Sequence, residues 1–202
     1  MTVRVKICGI TRVEDARAAI AAGADLIGVN FYAKSPRYID VDLAREIHAA
    51  VGTRARVVGV FVNADRAYID ERLRLVELDM IQFSGDEDGA AIAGWPVPSI
   101  VTRRLRPGEV SSAAPHRSDF VLLDAFDAQL HGGTGIRISL DQLRAFDLSR
   151  AFVAGGLNPG NVAEVAALEP YAVDCASGVE SAPGVKDHDK MRSFINNAKR
   201  SR

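Results

Sequence analysis

Residues 3–11 read VRVKICGIT, and the alternation in this stretch decides how the rest of the chain is read. Val3, Val5 and Ile7 alternate with Arg4, Lys6 and Cys8, the two-residue period of a β-strand with one aliphatic face. The other face carries two cations and a thiol, and Gly9 follows at once. Cysteine most often serves as a small buried apolar residue. A chemical role for Cys8 therefore depends on where this strand sits in the fold.

Seven more short apolar runs follow, at 25–30, 56–62, 79–83, 97–102, 119–124, 151–154 and 172–175. Between them 12–22, 41–51, 65–77, 86–93, 140–147, 160–168 and 187–199 carry amphipathic, helical patterns, and 105–116 holds a short helix at best. TRVED (11–15) offers Thr11 as a helix cap, and NPGNVAEV (158–165) opens another helix. Eight βα units without a composition break predict a single α/β domain over 1–202, either a doubly wound sheet or a (β/α)8 TIM barrel. No G-x-G-x-x-G follows the first strand, and the count of eight favours the barrel. Alternation then sends Val3, Val5 and Ile7 toward the helices and Arg4, Lys6 and Cys8 into the lumen. Phe120, Leu122 and Asp124 share a lumen face on strand six, and Asp174 does so on strand eight. Cys8 and Asp124 thus reach the C-terminal rim, where barrel enzymes build their sites. Cys175, of opposite parity to Asp174, should pack against helices.

Composition narrows the function. Lys and Arg number 25 against 26 Asp and Glu, which gives no bulk reason to expect nucleic acid or an acidic membrane as partner. There is no signal-peptide pattern and no run long enough to span a bilayer. The two cysteines show no disulfide or metal spacing, so a reduced, cytoplasmic protein with free thiols is expected. His48, His116, His131 and His188 are scattered, and no metal-ligating or serine-elbow motif occurs. Metal and Ser-triad chemistry therefore have little support.

The late loops carry glycines: HGGTG (131–135), GGLNPGN (155–161) and SGVESAPG (177–184). Glycine lets backbone N–H groups approach an anion, and the loops after strands seven and eight are the usual phosphate position in such barrels. Gly155, Gly156, Ser177 and Gly178 are the phosphate candidates, so a small phosphorylated substrate is expected. The loop FYAKSPRYID (31–40) brings Lys34 and Arg37 to the rim with Tyr32 and Tyr38, and a guanidinium there can clamp a carboxylate. Asn63, Gln82, Arg103 and Asp174 are further lining candidates, whereas Asp65, Asp86, Glu87 and Asp88 suit helix starts.

VKICGIT, GADLIGVNFYAKSPRYI, VGVFVN, VLLDA, GGTG, VAGGLNPGNV and VDCASGVESAPGVKDHDK occur in this order over nearly the whole chain. In these stretches the sequence resembles the phosphoribosylanthranilate isomerase family of tryptophan biosynthesis, a (β/α)8 family. The resemblance implies a cofactor-free Amadori rearrangement of N-(5′-phosphoribosyl)anthranilate by a monomer or homodimer. It implies Cys8 as general base, Asp124 as general acid, Arg37 on the anthranilate carboxylate and the AGG and SGVE loops on the phosphate. Asp127 is a rival acid three residues along. Two places depart from the family pattern: IRISLDQL (136–143) after GGTG, and QFSG (82–85), with Ser84 where histidine is frequent. Two alternatives stand beside this reading. A related histidine-pathway aminoaldose isomerase would place an aspartate where Cys8 stands, and a non-catalytic phosphate-binding barrel would have no use for a thiol and a carboxylate at the rim.

Overall fold

Parallel strands with apolar side chains on both faces need cover on both, which a closed barrel inside a ring of helices supplies. The computed structural model describes residues 3–106, 108–109, 118–125 and 138–200. In it β1 (Arg4–Ile7), β2 (Leu26–Asn30), β3 (Arg56–Phe61), β4 (Met80–Phe83), β5 (Ser99–Leu105), β6 (Phe120–Ala125), β7 (Ala151–Val153) and β8 (Ala172–Cys175) form a closed parallel barrel in chain order. Helices α1 (Val13–Ala22), α2 (Val41–Val51), α3 (Arg66–Val76), α4 (Gly89–Ile92), α5 (Leu140–Arg144), α6 (Val162–Ala166) and α7 (His188–Lys199) each follow a strand, β5 alone being followed by no helix among the described residues. The HGGTG loop, Asp127, His116, His131 and most of 105–116 lie outside the described residues.

Alternation sorts the core as the first strand predicts. Val3, Val5 and Ile7 join the shell between strands and helices, together with Val57, Phe61, Ile81 and Val173. Leu26, Val58, Met80, Ile100, Leu122, Phe152 and Ala172 fill the lumen. Beneath them an aromatic floor is built from Phe120, Phe152 and Tyr171, with ring centroids 4.3–5.7 Å apart. The Arg4 guanidinium lies over Tyr171, and that of Arg150 over Phe120. At the same end Asp25, Asp79 and Asp119, each just before an even-numbered strand, accept a backbone N–H from the first two residues of the preceding strand: Val5, Val57 and Ser99 at 2.7–2.9 Å. These bonds satisfy donors that the start of a strand would otherwise leave open.

Four local readings differ. Thr11 does not cap α1; the residue before the helix is Arg12, with no side-chain cap, and the Thr11 hydroxyl donates to Gly184 O at 2.5 Å. β5 continues to Leu105, past the expected stop at 102, so Arg103 lies within the strand. Its side chain pairs with Glu109, and Thr102 and Arg104 take the lumen side. Asn63 also stays off the cavity; its Oδ1 accepts from Asp86 N. SGVESAPG is not one loop but a 3-10 turn (Ser177–Val179) followed by an antiparallel hairpin, β9 (Glu180–Ala182) and β10 (Val185–Lys186). The helix-start acids behave as expected at Asp65 and Asp88, whose carboxylates cap α3 and α4.

The lumen also holds an ion pair. Lys6 is 0% exposed, and its Nζ lies 3.0 Å from Asp174 Oδ1 across the β1–β8 seam. Burial opposes the ammonium charge, but the Asp174 carboxylate and the Cys8 sulfur outweigh it and hold Lys6 above its ordinary value. Removing one member of such a pair strands the other. Asp174→Asn is therefore expected to lower stability in urea unfolding by about 3–5 kcal/mol, and Lys6→Met combined with Asp174→Leu to regain most of that. Equal midpoints for wild type and Asp174→Asn would show that the pair does not secure the seam.

Candidate active site

The C-terminal ends of the strands surround a cavity of about 600 Å³. Cys8, Asp124, Arg37, Asp174, Gly155, Gly156, Ser177 and Gly178, the residues singled out by sequence, all line it. Tyr32, Lys34 and Gln82 line it too, whereas Tyr38 is a surface residue, 40% exposed.

Cys8 stands one residue beyond β1, fixed through its backbone. Its N–H donates to Cys175 O at 2.8 Å, and its carbonyl accepts from Lys186 Nζ at 2.7 Å. The next residue, Gly9, has a φ of +69°, and a Cβ there would stand 2.4 Å from Arg37 Cδ. The space that glycine opens is occupied by the stem of Arg37, rather than left to a substrate. The second thiol is unlike the first. Cys175 is 4% exposed, belongs to the helix-side core and donates to Leu157 O at 3.1 Å. Burial, with Asp174 adding to it, pushes its pKa up to about 12.

Asp124 closes the lumen face of β6 opposite Arg104 on β5. Burial raises its pKa to about 6, the charge of Asp174 adds to the rise, and Arg104 and the Ala125 N–H oppose it. A carboxyl so placed holds its proton much closer to neutrality than an ordinary aspartate. Cation-facing thiol and proton-holding carboxyl therefore meet in one cavity, with opposite electrostatic surroundings.

The two late loops press together. A Cβ on Gly178 would stand 1.9 Å from Leu157 O, so the loop after β8 can lie this close to the loop after β7 only without a side chain. Gly155 and Gly156 both take positive φ, 83° and 66°, and Asn161 Nδ2 holds the Gly156 carbonyl at 3.0 Å. Ser84, in the place of the family's histidine, is accommodated by a hydroxyl chain. Gln82 Nε2 donates to Ser84 Oγ at 3.0 Å, which lies 2.9 Å from Thr102 Oγ1. Gln82 Oε1 is buried and bonded to no described residue.

Sequence reasoning missed Glu180 and Lys186. Arg37 is already paired: its Nε and Nη2 donate to the two carboxylate oxygens of Glu180 at 2.8 and 2.7 Å. Lys186 Nζ donates to the same Glu180 at 2.8 Å. The available signal was the alternating GVESAPGVK around a Pro-Gly turn, which sets an acid opposite a base across a hairpin.

Known proteins resemble this chain over nearly its whole length. Residues 5–197 match the family described as N-(5'phosphoribosyl)anthranilate (PRA) isomerase. An N-(5'-phosphoribosyl)anthranilate isomerase of Pseudomonas fluorescens is 48% identical over 199 residues, covering 96% of this chain and 97% of that one. The phosphoribosyl anthranilate isomerase of Thermus thermophilus superposes with a TM-score of 0.86 at 35% identity, over 96% and 98% of the two chains. A phosphoribosyl anthranilate isomerase in complex with reduced 1-(o-carboxyphenylamino)-1-deoxyribulose 5-phosphate gives 0.78 at 34% identity, over 98% and 99%. With barrel and sequence agreeing along almost its entire length, the chain belongs to the N-(5'-phosphoribosyl)anthranilate isomerase family.

Proposed function

We propose that Cys8 is the general base and Asp124 the general acid of the family's isomerisation, acting on N-(5′-phosphoribosyl)anthranilate. Asp124 enters protonated and donates to the ribose ring oxygen. The C1′–O bond breaks as the anthranilate nitrogen forms the C1′=N iminium. The Cys8 thiolate removes the C2′ proton, and the C–H electrons form the C1′=C2′ bond of an enolamine. Tautomerisation adds a proton at C1′ while the C2′ hydroxyl gives up its own and becomes the ketone, which yields 1-(2-carboxyphenylamino)-1-deoxyribulose 5-phosphate. Atoms and charge balance with two proton carriers.

The observation that carries this reading is a thiol beside a buried ammonium and a buried carboxyl lining one cavity. Lys6 is held protonated facing Cys8, while burial and the Asp174 charge keep a proton on Asp124 to higher pH. Acid and base catalysis each work best with a group whose protonation state suits its task near the working pH. We assign the substrate carboxylate to Arg37, the phosphate to the backbone around Gly155, Gly156, Ser177 and Gly178, and a substrate hydroxyl to the open Gln82 Oε1. Asp174 acts through Lys6 and Asp124 rather than on substrate. The reduced product analogue described for a relative has the matching three parts: carboxylate, ribulose chain and phosphate.

The direct test is a fluorescence assay of freshly formed phosphoribosylanthranilate, with the histidine-pathway aminoaldose run alongside. Turnover of the first is expected, and turnover of the second alone would overturn the reading. Cys8→Ser is expected to lose on the order of 10²–10⁴ in kcat while still binding the reduced product analogue. Turnover at the wild-type rate would make the thiol structural.

Asp124→Asn is expected to lose a similar factor, and its stability should move the other way. The folded-state pKa of Asp124 lies above its ordinary 3.8, at about 6. The native state therefore holds the proton more tightly than the unfolded one, and stability falls as pH rises from about 4 through 6. This rise corresponds to about 3 kcal/mol for the ionised carboxylate. Asp124→Asn should accordingly raise Tm at pH 8 by roughly 6–12 °C, and the gain should shrink as pH falls toward 4. In the wild type kcat/KM should decline above an apparent pKa of about 6, the alkaline limb of the acid. A Tm gain independent of pH would assign the raised pKa to another group.

A further inference from the structure

An acid and a base meet across the β9–β10 hairpin, both withdrawn from water. The side chain of Glu180 is 5% exposed and that of Lys186 0%. Buried charges persist only when their geometry compensates the lost hydration. Lys186 meets that condition in full, because its three ammonium protons find three acceptors: Glu180 Oε1, Cys8 O at 2.7 Å and Ala176 O at 3.0 Å. It thereby ties the hairpin to the strand ends that carry the base and the phosphate loop.

Glu180 meets it by receiving two cations, Lys186 and the fork of Arg37. The hydrogen bond from Arg37 and that from Lys186 hold its carboxyl below the usual range against the effect of burial. A guanidinium has five donors along two forks and one outer edge. Glu180 takes the Nε–Nη2 fork, and Nη1 is bonded to no described residue. The Arg37 stem is confined as well, pressed over Gly9. One edge of the guanidinium is therefore fixed by Glu180, and Arg37 lines the cavity. Two cations and one anion leave the group one positive charge, the complement of one carboxylate.

We propose that Glu180, held by Lys186, is the positioning residue that fixes Arg37 before substrate arrives and presents its outer edge to the substrate carboxylate. Arginine is among the side chains that lose most freedom when ordered, and ordering it in the free enzyme removes that cost from binding. The proposal rests on the assignment of Arg37 made above.

The test compares two ligands: reduced 1-(o-carboxyphenylamino)-1-deoxyribulose 5-phosphate and its phenylamino counterpart, which lacks the carboxylate. The ratio of their Kd values isolates what the carboxylate contributes. It is measured by titration calorimetry for wild type, Arg37→Ala, Glu180→Gln, Glu180→Asp and the Arg37→Ala/Glu180→Gln pair. Arg37→Ala should bring the ratio near one. Glu180→Gln should reduce it about tenfold, and should change nothing further once Arg37 is gone. The phenylamino ligand should bind all variants alike. Should Glu180→Gln fail to fold, Glu180→Asp, which keeps the charge one methylene short of the fork, should still lose several-fold. A ratio that collapses in Arg37→Ala but is untouched in the Glu180 variants overturns the proposal and leaves the Arg37 assignment standing. A ratio untouched in Arg37→Ala overturns that assignment itself. Equal weakening of both ligands in the Glu180 variants would make the hairpin a scaffold and overturn the positioning role.

Discussion

Lys6 and Asp174 share the seam where the last strand meets the first, and each has a second neighbour at the rim. Lys6 looks up at Cys8, and Asp174 looks across at Asp124. The ammonium sets a positive charge beside the sulfur on one side, while the carboxylate disfavours a negative oxygen on the other. One ion pair, which the closure of the barrel brings about, thus borders both the thiol and the carboxyl at the rim. The pair is costly to bury alone, and this ties the chemistry of the rim to the correct joining of β1 and β8.

Much of this was legible along the chain because a strand has period two. Once Val5 and Ile7 face the helices, Lys6 and Cys8 must face the lumen, and Leu122 carries Asp124 with it. The same reasoning failed at β5, where the strand outruns its apolar stretch: TRRL extends through polar residues because its neighbour β6 pairs with it as far as Ala125. Partner strands, and not local composition, set that end. Thr11 misled for a related reason. Its hydroxyl satisfied a carbonyl 173 positions away in place of its own helix, a choice that sequence proximity does not reveal.

Two signals were present and went unread. Asp25, Asp79 and Asp119 repeat one role at the start of every second strand through the first six, a half-hidden repeat in which a single residue type recurs amid unrelated neighbours. The hairpin was hidden differently. Its glycine drew attention to anion binding, while the informative residues were the acid and base on either side. Ser84 shows the reverse case. It departs from the family pattern, yet a serine between Gln82 and Thr102 completes a hydroxyl chain without disturbing Cys8, Asp124 or Arg37.

The aromatic floor has a consequence for traffic. Phe120, Phe152 and Tyr171, sealed by the arginines stacked on them and by the aliphatic lumen above, leave the wide rim as the route to the reacting groups. Arrival and departure then share one doorway, and a molecule of product must vacate the chamber before the next substrate takes its place. Substrate and product carry the same carboxylate and the same phosphate, so whatever grips the first grips the second. Tighter grip at those two ends would speed capture and slow clearance together. In such a vessel the pace of the cycle is set by a compromise at the door, with the floor, far from any reacting atom, enforcing it.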